Sequence, residues 1–273
     1  NTAENPRNPN RPPRRVAYGP NSADEMGDLW IQLLPVDPGE LTALEIDFTH
    51  KERGKEIIRA RRVLAGDPDN ALNHYNLGLL LQSDGNFDEA ESRYRAALER
   101  DLVYADAHHN LAVLLVSQGR NREGADHYRQ VLGIEPDSAD VYLNLGRIYL
   151  AQGAATDAIT LFLRGIEIDA DMWELHGDIA AAYMRQGRPE VAIRSYRAGL
   201  AIAPDVAFLH LSLGEVLGSQ GRMADAEERF RIALTLAPQE ARAHNDLGVA
   251  LEQQGRIGEA IESYRRALAI DSA

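Results

Sequence analysis

The residues best placed to do chemistry in this chain form a periodic line. Asn76, Asn110 and Asn144 recur at intervals of 34, and the line continues through Asp178, Ser212 and Asp246. An asparagine side chain offers a donor and an acceptor together, so a row of them can grip the N–H and C=O groups of an extended polypeptide whatever its sequence. Histidine is the other reactive type that recurs. His74, His108, His176, His210 and His244 stand at one position of the same period. One per unit places them too far apart to share a metal ion, so they read as packing residues, as do His109 and His127 beside His108. No phosphate-binding loop, nucleophile elbow or zinc-ligand spacing occurs, and no catalytic residue is assigned.

The elements that carry this line follow from the same period. Gly85, Gly119, Gly153, Gly187, Gly221 and Gly255 recur every 34 residues. Seven positions earlier stands a small residue (Gly78, Ala112, Gly146, Ala180, Gly214, Gly248). Nine positions later stands an aromatic ring (Tyr94, Tyr128, Phe162, Tyr196, Phe230, Tyr264). Spacings of three, four and seven predict two amphipathic helices per unit, with the glycine between them where a helix end takes positive φ. Small residues let the helices cross closely, and the ring fills the space beside them. Pro136, Pro204 and Pro238 are expected at helix starts, where a missing N–H costs nothing. A strict period of this length predicts an all-α protein, a right-handed α-solenoid of six helix–turn–helix units over residues 67–273.

These motifs resemble the tetratricopeptide repeat family, and within it the repeats of bacterial arrays and of O-GlcNAc transferase. The resemblance covers residues 71–273; Leu102, Ala170 and Ser272 depart from the family's proline. It implies a protein-interaction scaffold whose concave face is built by the first helix of each unit, with the asparagine ladder holding peptide backbone. No counterpart of the transferase's catalytic domain is present, so no enzyme activity and no cofactor are expected.

Counted from Ala71, Ala105, Ala139, Trp173, Ala207 and Ala241, the inward positions give two different halves. Leu72, Tyr75, Leu79, His109, Val113, Val116, Leu143 and Leu150 form an apolar wall, whereas Glu174, Asp178, Met184, Arg185, Glu215, Arg242, Asp246 and Glu252 are mixed and acidic; Arg147 lies between. The expected ligand is a segment with apolar anchors at one end and basic residues at the other. Charge agrees. The formal net charge is −13; residues 1–66 carry ten of each sign, so the whole excess, 19 cations against 32 anions, lies in the array. Nucleic acid and anionic membrane would be repelled. There is no cysteine, and no apolar run is long enough to span a bilayer.

Residues 1–66 break the period. Residues 1–36 read as an extended arm, rich in Pro, Asn and Arg, whose apolar stretch around Leu29, Trp30 and Ile31 reads as a short β-like segment. With Arg11, Arg14 and Arg15, it suits the acidic groove of a neighbouring copy. Residues 37–66 read as a capping helix or degenerate half-repeat, with Ile57, Ile58, Val63 and Leu64 covering the first unit. Residues 18–35 also resemble the closing strand of the copper type II ascorbate-dependent monooxygenases; that resemblance implies Met26 as a copper ligand if a copper domain lies upstream, and no metal site otherwise. The family's copper histidines have no counterpart here.

Three functions follow. The first is a scaffold holding an extended polypeptide. The second is a homo-oligomeric, filament-forming subunit whose own arm is the ligand, with an uncapped last unit leaving Ile261, Tyr264 and Leu268 partly exposed for stacking. The third is the docking region of a larger copper oxidoreductase. The missing initiator methionine, the absence of cysteine and the monooxygenase-like segment favour an exported bacterial protein.

Overall fold

The computed structural model describes residues 38–272, with side chains from residue 52 onward. Arg11, Arg14, Arg15, Met26, Leu29, Trp30 and Ile31 of the expected arm lie outside the described residues. Within them the chain is all helical. The first helix, α1, spans Pro38–Gly66 and is followed by six helix pairs: α2 (Ala71–Ser83) with α3 (Phe87–Arg100), α4 (Ala105–Ser117) with α5 (Asn121–Ile134), and α6 (Ala139–Ala151) with α7 (Ala155–Ile168). Next come α8 (Trp173–Arg185) with α9 (Pro189–Ile202), α10 (Ala207–Ser219) with α11 (Met223–Leu236), and α12 (Ala241–Gln253) with α13 (Ile257–Asp271). Each helix packs on its sequence neighbours, and α6 also meets α8 and α10 meets α12. First helices therefore line one face of an α-solenoid.

The recurring glycine ends the first helix of every pair. Gly85 has φ 80° and Gly153 φ 82°, and among the described residues positive φ occurs only at the six such glycines. Beyond Leu81, the Gly85 N–H donates to Gln82 O at 3.1 Å and the Asn86 N–H reaches back to Leu81 O at 2.9 Å. This pair satisfies carbonyls that the helix end would leave open. The same two bonds recur at Gly119, Gly153, Gly187, Gly221 and Gly255.

The helix crossings explain the small residue and the ring. A Cβ at Gly78 would lie 2.7 Å from the Tyr94 ring, and one at Gly214 would lie 2.6 Å from that of Phe230. The absent side chain is where the ring sits, and Tyr94 and Phe162 are fully buried there. Unit two makes the opposite exchange. Ala112 occupies the crossing, and Gly124 replaces the alanine of the facing helix, with a built Cβ only 2.6 Å from Val116 Cγ2. Total volume is conserved while the position of the gap moves.

The prolines are not at helix starts. Pro136, Pro204 and Pro238 begin the two-residue turns just after α5, α9 and α11, where a residue that cannot continue a helix stops it. The prolines that do open helices are Pro38, the first residue of α1, and Pro189, at the first turn of α9. Along α1, Ile57 and Leu64 are buried against α2, whereas Ile58 and Val63 face out. A spacing of seven puts the first two on one stripe, so α1 presents a single apolar face to unit one.

Candidate functional site

The inner face is built by α2, α4, α6, α8, α10 and α12. Asn76 is exposed on α2, and Asn110 and Asn144 are partly buried on α4 and α6. Asn110 Nδ2 donates to the Tyr75 hydroxyl at 2.9 Å, joining unit two to unit one. Tyr75 is held in turn against Tyr104, with ring centroids 4.9 Å apart. Burial, then the charge of Asp106, raises the Tyr75 pKa, with the Asn110 bond opposing. One rung of the ladder is thus engaged inside the array, while the Asn76 side chain faces solvent.

Further along, the line changes character. Arg147 Nε lies 2.6 Å from Asp178 Oδ2, a pair between α6 and α8. Burial nevertheless raises the Asp178 pKa, Arg147 opposing it. Ser212 is buried and bonds the Tyr196 hydroxyl. Arg242 Nη2 lies 2.5 Å from Glu215 Oε1. Burial first, then the nearby negative charge of Asp246, raises the Glu215 pKa against the pull of Arg242. Arg185 does not project freely: its Nη1 donates to the Leu150 carbonyl and ties α8 to the end of α6.

The apolar residues divide similarly. Leu72 and Leu79 are exposed, and Val113 and Val116 are partly buried. His109 stands edge-on to the Tyr128 ring at 5.7 Å, its Nδ1 3.6 Å from Asp140. Leu143 and Leu150 are buried in the core shared by α6, α7 and α8. One groove residue escaped the sequence reading. Phe208, 56% exposed, occupies the second position of α10, the register of Leu72 on α2; its aromatic type at an inward position was the available signal. A cavity of about 360 Å³ lies between α10 and α12, with Met223, Phe230 and Val249 along its apolar side and Glu215, Asp246 and Arg242 on its polar side. Met223 comes from α11, so counting along first helices could not reach it.

Four of the five recurring histidines have a definite structural task. Nε2 of His74, His108, His210 and His244 lies 2.9–3.2 Å from the carbonyl of the residue six earlier, Pro68, Leu102, Pro204 or Pro238. A carbonyl only accepts, so Nε2 carries the proton and the imidazole fastens the inter-unit turn to the helix that follows. Among the described residues, no group of three or more His, Cys, Asp or Glu could hold a metal ion, and no helix is long and apolar enough to cross a membrane.

The family profile of the tetratricopeptide repeat matches residues 75–134, 109–172, 178–228 and 211–273. The chain belongs to the tetratricopeptide repeat family. No curated protein matches this tetratricopeptide chain. Among solved structures it is similar to pilF of Pseudomonas aeruginosa, at 19% identity and a TM-score of 0.63 over 71% of this chain and 88% of that one. It is also similar to YrrB, described as a TPR protein with an unusual peptide-binding site, at 19% identity and a TM-score of 0.56 over 67% and 95%. MamA gives 23% identity and a TM-score of 0.54 over 62% and 92%. At such identities the likeness is one of fold.

Proposed function

We propose that this tetratricopeptide array is a non-catalytic scaffold that holds an extended polypeptide along its inner face. The carrying observation is the change along the inward positions of successive first helices. Leu72 and Leu79 are exposed in unit one, whereas Asp178, Glu215 and Asp246 face the groove in units four to six, with burial raising the pKa of the first two. A carboxylate short of solvation gains from a docked cation, so apolar anchors suit the first units and basic side chains the later ones. The cavity between α10 and α12 supports the same reading: Met223, Phe230 and Val249 can cover an aliphatic stem while Glu215 and Asp246 meet its charged head. YrrB, which shares the fold, is described as having a peptide-binding site.

The test is selection of nine-residue peptides from a randomised library on the full chain, followed by anisotropy titration of the enriched sequences. Enrichment of Lys or Arg at one end and aliphatic residues at the other is expected, with roughly tenfold weaker binding after Asn76, Asn110 and Asn144 are together changed to Ala. Enrichment without basic residues, or unchanged affinity of the triple variant, overturns the reading.

A second reading is self-assembly, with the arm residues Arg11, Arg14, Arg15, Leu29, Trp30 and Ile31 as the groove ligand of a neighbouring copy. The exposure of Ile261 and Leu268 on α13, at 45% and 68%, favours it. Light scattering on the full chain and on a chain lacking residues 1–36 separates the two. Nothing in residues 38–272 adds to a copper role for Met26.

A further inference from the structure

Unit two holds a contact that the other units lack. The His108 ring on α4 and the His127 ring on α5 face each other, Nδ1 to Nδ1 at 2.8 Å, with centroids 5.1 Å apart. Elsewhere the place of His127 is taken by Arg93, Leu161, Ser195, Arg229 or Ser263, and the buried Nδ1 atoms of His74 and His210 have no hydrogen-bond partner. The His108 Nε2–H is committed to the Leu102 carbonyl at 3.2 Å. Its Nδ1 is therefore an acceptor, and His127 must donate from Nδ1.

That arrangement limits how many protons the pair can hold. One extra proton leaves an N–H facing a lone pair. A second sets N–H against N–H inside a helix crossing. We propose that the His108–His127 pair makes unit two an acid-labile joint, in which the second proton separates α4 from α5, releases the Leu102 turn and loosens the neighbouring groove residues His109 and Asn110. The reading does not depend on what the groove binds.

The groups that face the pair come from two helices. Arg95 on α3 opposes a further positive charge, while Asp126 and Glu123 on α5 favour it. Those carboxylates are themselves engaged, Glu123 by Arg120 at 2.7 Å and Asp126 by Arg129. Burial first, then the charge of His108, then Arg95, lowers the His127 pKa to about 4. In an opened crossing the His127 ring ionises near the ordinary histidine value of about 6.5. Between those limits the open form holds one more proton than the closed one, so acidification favours opening by up to about tenfold per pH unit. The exposed turn is itself unusual: Leu102 and Val103 are 77% and 68% accessible, where other units place Pro-Asp, Pro-Gln or Ala-Asp.

Hydrogen exchange of the full chain at pH 7 and pH 4.5, corrected for intrinsic rates, reads this opening directly. Amides of α4 and α5 should lose about 10- to 100-fold protection, more than those of α10 and α11, which carry no histidine pair. His127→Ser, which repeats the residue present at this position in α9 and α13, should abolish the difference. A uniform loss across all units, or an unchanged loss in His127→Ser, overturns the proposal. Histidine NMR of the unsubstituted chain supplies an arm that does not depend on the variant folding. A His127 midpoint near 6.5 in the folded protein would also overturn it, and one near 4 supports it.

Discussion

Gly214→Ala tests whether the small residue at the helix crossing is a seat for the aromatic ring or merely a helix residue. The new Cβ would lie 2.6, 2.8 and 3.1 Å from Cε1, Cδ1 and Cζ of Phe230, which is itself only 3% exposed. Relief requires the ring or the helix to move by several tenths of an ångström in a packed core, an overpacking cost of about 1–3 kcal/mol. Alanine's better helix propensity returns about 1 kcal/mol. The net expectation is a loss of up to about 2 kcal/mol, read as a lower urea midpoint at unchanged m-value. Gly218→Ala, one turn further along α10, supplies the control: its Cβ would meet nothing closer than Ala226 Cβ at 3.8 Å. That variant should be neutral or up to about 1 kcal/mol more stable. The double variant Gly214→Ala with Phe230→Leu should couple by about 1 kcal/mol, because the shorter side chain removes the overlap. Equal effects at Gly214 and Gly218 would refute the account of the crossing.

Two further expectations concern the turns and the outer surface. Gly153→Ala forces a side chain into left-handed backbone at φ 82° with no steric contact nearby, so it should cost about 1–2 kcal/mol in the same denaturation assay; a neutral result would place the strain elsewhere. For Glu227, burial works to raise the pKa, but bonds from Arg256, Gln254 and Arg231 outweigh it and hold the carboxyl below its ordinary value. A depressed carboxylate stabilises the fold above about pH 4.5 and loses that contribution as the pH falls through the lower native value. Arg256→Gln should therefore lower stability at pH 7 and show a smaller deficit at pH 3.5; an equal deficit at both would exclude the ion pair as the cause.

Much of this architecture could be read from residue spacing, because its causes are local. A glycine at a helix end, a gap seven residues before it and a ring nine residues after it act within one unit of 34. Their recurrence therefore states the fold six times. The misplaced prolines show the limit of that reading. Spacing located Pro136, Pro204 and Pro238 between units but could not tell the stop of one helix from the start of the next, a difference of three residues.

The inner face was only partly legible, because its contacts span units. The register of Asn76, Asn110, Asn144, Asp178, Ser212 and Asp246 follows from the period alone. Which of them are free does not. The bond from Asn110 to Tyr75 joins residues 35 apart, and that between Arg147 and Asp178 joins residues 31 apart. Each depends on how far one unit rotates over the last. The histidines divide along the same boundary. Their recurrence announced a packing role, but the bond from four of the five rings to a turn carbonyl, and the meeting of His108 with His127, required the crossing angle of two helices. Periodicity determined the unit and the number of units, since a helix and its end are decided by near neighbours in the chain. Tertiary structure decided which side chains face one another across units, since that depends on the superhelical path and no single unit contains it.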